Sequence, residues 1–237
     1  MSVDDKLGEP VLNWSVPPRP TGQPMEGRYA RLDRLHPDAH SASLHRAFSA
    51  DDRMWTYMPY GPFGSSSGYH RWVRQEGIKD DPFFFAITDL ARGETCGVAS
   101  FLRITPQAGS IEVGHIAMAP SLQKTRAATE AIYLMMEWAF TNGYRRFEWK
   151  CNALNAGSRR AASRFGFSYE GIFRQAAVIK GRNRDTAWFA CIDSEWPALR
   201  EAYSTWLSPA NFDETGQQRE RLSDLTRLVR VAEDPGL

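Results

Sequence analysis

Residues 83–88, 95–104 and 110–119 are short runs rich in apolar, β-branched and aromatic residues without helical spacing, and they predict three consecutive strands. The turn-like runs Leu90-Ala91-Arg92-Gly93 and Pro106-Gln107-Ala108-Gly109 separate them, so they read as a meander. The pattern then changes. Ala128, Ala131, Ile132, Met135, Ala139 and Phe140 recur at helical spacing over residues 127–141, and Asn142-Gly143 supplies the stop. Residues 146–151 predict a further strand and 156–164 a short helix ending at Gly166. Residues 167–179 and 185–192 predict a hairpin across Lys180-Gly181-Arg182-Asn183. Upstream, residues 29–35 predict a first strand and 38–50 a helix. The break from Met58 to Gly64 precedes serines that can cap a helix carrying Trp72, Val73 and Ile78. Helical spacing returns over residues 196–206, and residues 216–231 predict a charged amphipathic helix.

This order gives a mixed α/β fold with flanking pieces. Pro10, Pro17, Pro18, Pro20 and Pro24 predict an extended N-terminal arm over residues 1–27. Residues 28–195 form the expected domain, and residues 196–237 a C-terminal helical extension. With 42% hydrophobic residues the chain can bury a core. Its net charge of +1 offers no global field for nucleic acid or an anionic membrane. No apolar run is long enough to span a bilayer, and Cys96, Cys151 and Cys191 fit neither a disulfide framework nor a structural metal site. A soluble, cytoplasmic protein without metal is expected. His36 and His40 have metal-like spacing but no third ligand.

Chemistry concentrates in one segment. The strand Glu112-Val113-Gly114-His115-Ile116-Ala117-Met118-Ala119 feeds the helix of residues 127–141 through Pro120 to Arg126. Such a turn aims free backbone amides and the positive end of a helix at one point, an anion site that Lys124 and Arg126 reinforce. An ordinary strand-to-helix connection with solvated basic residues is the simpler alternative.

Gln123-Lys124-Thr125-Arg126-Ala127-Ala128 resembles the pyrophosphate loop of the Gcn5-related N-acetyltransferase (GNAT) family, and Thr129-Glu130-Ala131 is similar to its ribosomal-protein N-terminal acetyltransferase (RimJ/RimL-like) branch. Arg126 stands where that loop has its first glycine, so its side chain either obstructs the phosphates or reaches them. Downstream, Asn155-Ala156-Gly157-Ser158 and the terminal Gly166-Phe167 resemble the family's Asn-x-x-Ser helix. The resemblance covers about residues 27–195. It implies a mostly antiparallel sheet, flanked by helices and splayed between two strands at the cofactor, with acetyl-CoA as donor. It also implies cofactor contacts from Ile116, Met118, Gln123, Lys124, Thr125, Arg126, Ala127, Ala128, Thr129, Asn155 and Ser158. Asn155 and Ser158 also suit a plain helix cap.

The implied activity is acetyl transfer to a primary amine by direct attack. The branch points to a protein N-terminal α-amine; a small-molecule amine and a non-catalytic acetyl-CoA-binding module are alternatives. In a further reading the fold serves only assembly, with the C-terminal helices forming a homodimer. The resemblance implies Ser158 as the proton donor, by a hydroxyl near the leaving sulfur; Ala162 stands where the family usually has a tyrosine donor, and Arg174-Gln175-Ala176-Ala177-Val178 lacks the glutamate of the branch, which leaves the base open. Glu112 and His115 are candidate bases. Strict alternation puts them on opposite faces unless a bulge intervenes, and each could instead be structural. A site without a clear base suits an α-amine better than lysine, whose deprotonation at neutral pH costs roughly 3 kcal/mol more. Trp55, Tyr57, Tyr60, Phe63 and Trp72 either line an acceptor pocket or pack the first helices.

Overall fold

The meander forms as β3 (Phe83–Asp89), β4 (Glu94–Thr105) and β5 (Ser110–Met118), in a computed structural model that describes residues 7–237. The other strands are β1 (Met25–Glu26), β2 (Ala30–Arg34), β6 (Arg146–Asn152), β7 (Ser168–Ile179) and β8 (Arg182–Ile192). All eight join one sheet in the order β1-β2-β3-β4-β5-β6-β8-β7. Every neighbouring pair is antiparallel except β5 and β6, which are parallel because a helix connects them.

That helix, α3 (Arg126–Thr141), packs on one face, where Phe101 lies 5.1 Å from Trp138 and 6.3 Å from Phe147. The helices α4 (Ala156–Arg164) and α5 (Trp196–Leu207) extend this layer, with α4 against β6 and β7 and α5 against α3. On the opposite face α1 (Pro37–Phe48) and α2 (Ser66–Trp72) cover β3 and β4, where Trp72 meets Phe84 at 5.5 Å. Strand β6 shows the two-sided logic. Phe147, Trp149 and Cys151 are buried toward the helices, while Glu148 and Lys150 point to the other face.

Residues 1–6 of the expected arm lie outside the described residues. Its later part is tied down: Tyr144 Oη donates to the Pro18 carbonyl (3.0 Å), Arg19 donates to that of Ile104 (3.1 Å), and β1 pairs with β2. The β7–β8 turn is tighter than the expected four residues. Ile179 pairs with Arg182, and Lys180 (φ 49°) and Gly181 (φ 71°) both adopt the left-handed conformation of a two-residue hairpin turn.

The expected helix over residues 216–231 shrinks to α6 (Leu222–Arg227). Asn211 is the reason. Its side chain accepts from the Glu220 amide (2.8 Å) and donates to the Glu220 carbonyl (3.2 Å), holding residues 218–220 out of helical conformation where a helix would start. Among the described residues no helix is long and apolar enough to cross a membrane. His40 Nδ1 accepts the His36 amide at 2.9 Å, which accounts for their spacing without a metal.

Candidate active site

The β5–β6 ladder ends at Val113 and Trp149, although β5 continues to Met118 and β6 to Asn152. The two strands part there and leave a wedge between them. At its base, the turn after β5 is anchored by Leu122, fully buried, whose side chain lands where Gly97 of β4 has no Cβ. Lys124 then takes a left-handed conformation (φ 63°) and Thr125 caps α3, its Oγ1 accepting from the Ala128 amide at 3.0 Å. The amides of Lys124, Arg126 and Ala127 find no acceptor among the described residues. Gln123 is not turned toward them; its side-chain amide donates to the Met118 carbonyl (2.9 Å) and braces the strand end. The loop is thus a cradle of free donors at a helix N-terminus, suited to a pyrophosphate. Thr125→Ala should lower stability by about 1 kcal/mol in urea denaturation, and weaken acetyl-CoA binding with it.

Arg126 neither blocks nor fills this cradle. Its guanidinium lies 4.2 Å from the Phe212 ring and 5.3 Å from the Tyr29 ring. It therefore leaves the helix sideways, on the flank it shares with Glu130 one turn later. Glu130 does the work of the Thr-Glu-Ala motif. Its buried carboxylate accepts the amides of Arg28 (2.9 Å), Tyr29 (2.5 Å) and Ala30 (2.7 Å), binding β2 to α3. Thr129 is likewise turned inward, its Oγ1 donating to the Thr125 carbonyl (3.2 Å) and accepting from Arg164 (3.2 Å).

On the far side of the wedge, Asn155 caps α4, its Oδ1 accepting the Ser158 amide at 3.0 Å. Trp149 Nε1 donates to Ser158 Oγ (3.0 Å), which leaves the hydroxyl hydrogen available to another acceptor. Cys151 is buried beside Ser158, and burial raises its thiol pKa, so it remains a thiol rather than a nucleophile.

Glu112 and His115 do not take opposite faces. Ser100 pairs with Gly114 and Val98 with Ala117, so β5 carries an extra residue, and His115 (φ 49°) sits in this bulge. Its imidazole turns toward α2, stacked on Tyr60 (5.6 Å between centroids, 9° between planes) and 5.2 Å from Phe84. Tyr60 Oη lies 3.1 Å from His115 Nδ1. Burial, reinforced by the charges of Arg103 and Arg184, lowers the His115 pKa to about 4, so the ring is neutral at physiological pH. Trp55, Phe63 and Trp72 pack around Tyr60, with Tyr69 stacked behind Trp72, while Tyr57 Oη donates to the Leu154 carbonyl (3.2 Å) across the wedge.

Glu112 is buried and held at 2.9 Å by Arg103 and 3.1 Å by Lys150. Lys150 also contacts Glu148 at 2.6 Å. Burial raises the Glu112 pKa against the pull of these cations. Sequence reasoning missed Arg103, Lys150, Trp149 and Arg184. Alternation within residues 146–151 could have put Lys150 on one face with Glu148, but no local signal reveals that Arg103 (φ 47°) and Arg184 converge there.

The chain's relatives carry the same architecture. A family profile described as an acetyltransferase (GNAT) domain matches residues 31–168. No curated protein matches. Among solved structures, a GCN5-related N-acetyltransferase from Brucella melitensis is 44% identical, covering 92% of this chain and 100% of its own, with a TM-score of 0.89. A GNAT-family acetyltransferase from Chromobacterium violaceum ATCC 12472 is 36% identical over 81% of this chain and 98% of its own, with a TM-score of 0.77. The microcin C7 self-immunity acetyltransferase MccE, solved with acetyl-CoA and AMP, shares the fold at 20% identity, 70% and 93% coverage and a TM-score of 0.63. The parted strands, the amide cradle and these relatives agree: the chain belongs to the GNAT family of acetyltransferases, enzymes that take their acetyl group from acetyl-CoA.

Proposed function

We propose that this enzyme moves the acetyl group directly from acetyl-CoA to an α-amine, without a covalent enzyme intermediate. The observation that carries the reading is the wedge between β5 and β6. It opens from the free amides of Lys124, Arg126 and Ala127 at one end toward Ser158 and His115. The pyrophosphate would lie on the amide cradle. The thioester would lie beside β5, with backbone at Ile116 and Met118 polarising its carbonyl and Asn155 near the pantetheine. The amine nitrogen attacks the carbonyl carbon, the carbon–sulfur bond breaks, and Ser158 Oγ, oriented by Trp149, hands its proton to the departing thiolate, while the proton that the nitrogen sheds as the amide forms restores the Ser158 hydroxyl through solvent.

The base is what selects the amine. Glu112 is held by Arg103 and Lys150, and His115 is neutral but a weak base, so neither is suited to strip an ammonium of high pKa. An α-amine, with pKa near 8, supplies enough neutral nucleophile itself. The resemblance to the ribosomal-protein branch lends less support, because Glu130 of that motif binds the protein's own backbone. Residues 28–195 would form the catalytic unit, and residues 196–237 would brace α3 and α4. The free, buried cysteines accord with a cytoplasmic setting.

Initial-rate kinetics with acetyl-CoA and a panel of α-amines and lysine side-chain amines test this. Intersecting double-reciprocal lines, a preference for α-amines and a fall of kcat by at least about tenfold in Ser158→Ala are expected. Parallel lines with a trapped acetyl-enzyme would overturn direct attack.

A further inference from the structure

Positive charge around Glu112 exceeds what the protein neutralises. Arg103 and Lys150 contact Glu112, and Lys150 and Arg146 contact Glu148, with Arg146 also on Glu170 at 2.5 Å. Each of these cations has a carboxylate within 4 Å. Arg184 of β8, near enough to Glu112, Arg103 and His115 for its charge to be felt at each, has none among the described residues. Its Nε is buried with no hydrogen-bond acceptor, and burial, with the nearby charge of Arg103, depresses its pKa. Trp188 lies two alternations along the same face of β8, with Lys150 Nζ 3.5 Å from its ring centroid. Its Nε1 is a second buried donor with no acceptor. Buried donors are normally satisfied, and a guanidinium partly withdrawn from water without an anion carries an uncompensated charge.

The donor substrate does not supply that anion. The phosphates of acetyl-CoA fit the amide cradle beside Lys124, and the pantetheine arm that would reach toward Ser158 is uncharged. We propose that Arg184 and Trp188 receive a carboxylate carried by the acceptor close to its reacting amine. This rests on the reading of the wedge as the acetyl-transfer site. Two sources share that chemistry: the α-carboxylate of a free amino acid, and an acidic first side chain at a peptide N-terminus. The same contact orients the amine, since an anchored carboxylate fixes the angle at which the neighbouring nitrogen meets the thioester.

Matched acceptors test the proposal. One pair is an α-amino acid and its carboxamide; the other is a C-terminally amidated tripeptide beginning with aspartate and its asparagine counterpart. Wild-type enzyme should favour the carboxylate member of one pair by about 30-fold in kcat/KM, and the responding pair identifies the source. Arg184→Gln should shrink the preference to within about threefold while leaving the KM for acetyl-CoA unchanged, and Arg184→Lys should recover part of it. Equal rates within both pairs would overturn the proposal. So would an Arg184→Gln enzyme that keeps the preference and loses acetyl-CoA affinity instead. Absence of turnover with every amine would count against the transfer reading alone. Titration of the same four compounds into the protein with CoA, followed by tryptophan fluorescence, then decides the charge pairing: a carboxylate preference lost in Arg184→Gln upholds it, and affinities the variant leaves unchanged overturn it.

Discussion

Glu130→Ala is expected to lower the free energy of unfolding by about 3 to 5 kcal/mol, enough to remove a large share of a typical domain's stability. The carboxylate is 4% exposed and accepts three successive amides, from Arg28, Tyr29 and Ala30. Truncation strands the buried Ala30 amide and removes the charged partner of the part-buried Arg28 and Tyr29 amides, and a buried unsatisfied amide costs about 1 to 3 kcal/mol. Glu130→Gln keeps one oxygen but turns an NH2 group toward amides that also donate, so it should cost nearly as much. Gly27 reports on the same contact from the other side. A Cβ there would lie 2.4 Å from the Glu130 carboxyl carbon, so Gly27→Ala should push the carboxylate off its amides. Urea denaturation read by tryptophan fluorescence checks this, and a midpoint unchanged in Glu130→Ala would refute it. The effect should extend to the cofactor, because Glu130 is one turn from the amides of the cradle.

The second large effect is a pH-dependent loss of stability set by His115. In the unfolded chain its pKa is about 6.5, and in the fold it is lowered to about 4 by burial and by the charges of Arg103 and Arg184. Between these values the unfolded state binds the extra proton, so stability rises with pH through this interval. The contribution is complete above pH 6.5, declines as pH falls toward 4 and is gone below it, amounting to about 3 kcal/mol. In His115→Asn the contribution disappears. The stability difference between wild type and variant should therefore shrink by about 2.5 kcal/mol from pH 7 to pH 4.5. Parallel stability–pH curves for the two proteins would show that the ring is not held neutral. The same depression means that the acid limb of kcat/KM above pH 5 should follow the acceptor amine and not His115.

The correct readings share a cause. Strands β3, β4 and β5, helix α3 and its stop at Asn142-Gly143 follow from local composition, periodicity and turn chemistry, which act over a few residues. The cradle was equally legible, since a strand, a tight turn and a helix cap are contiguous in the chain. Asn155 as the α4 cap belongs to the same class. The face of His115 was not legible, because alternation alone cannot reveal one extra residue in β5, and that bulge exists only relative to β4. The direction of Arg126 was hidden for a similar reason: its partners, Tyr29 and Phe212, lie far from it in sequence. The overlong C-terminal helix erred because amphipathic spacing is a weak preference that the Asn211 side-chain bonds override.

The sequence by itself determined the element types, the order of strands and helices and the amide-rich turn, because each depends on neighbours along the chain. Tertiary structure alone decided how charge is arranged around Glu112. Arg103, Lys150 and Arg184 come from three strands, β4, β6 and β8, and only the sheet order brings them to one face. Electrostatic energy depends on distance and burial, and neither quantity is written in local sequence.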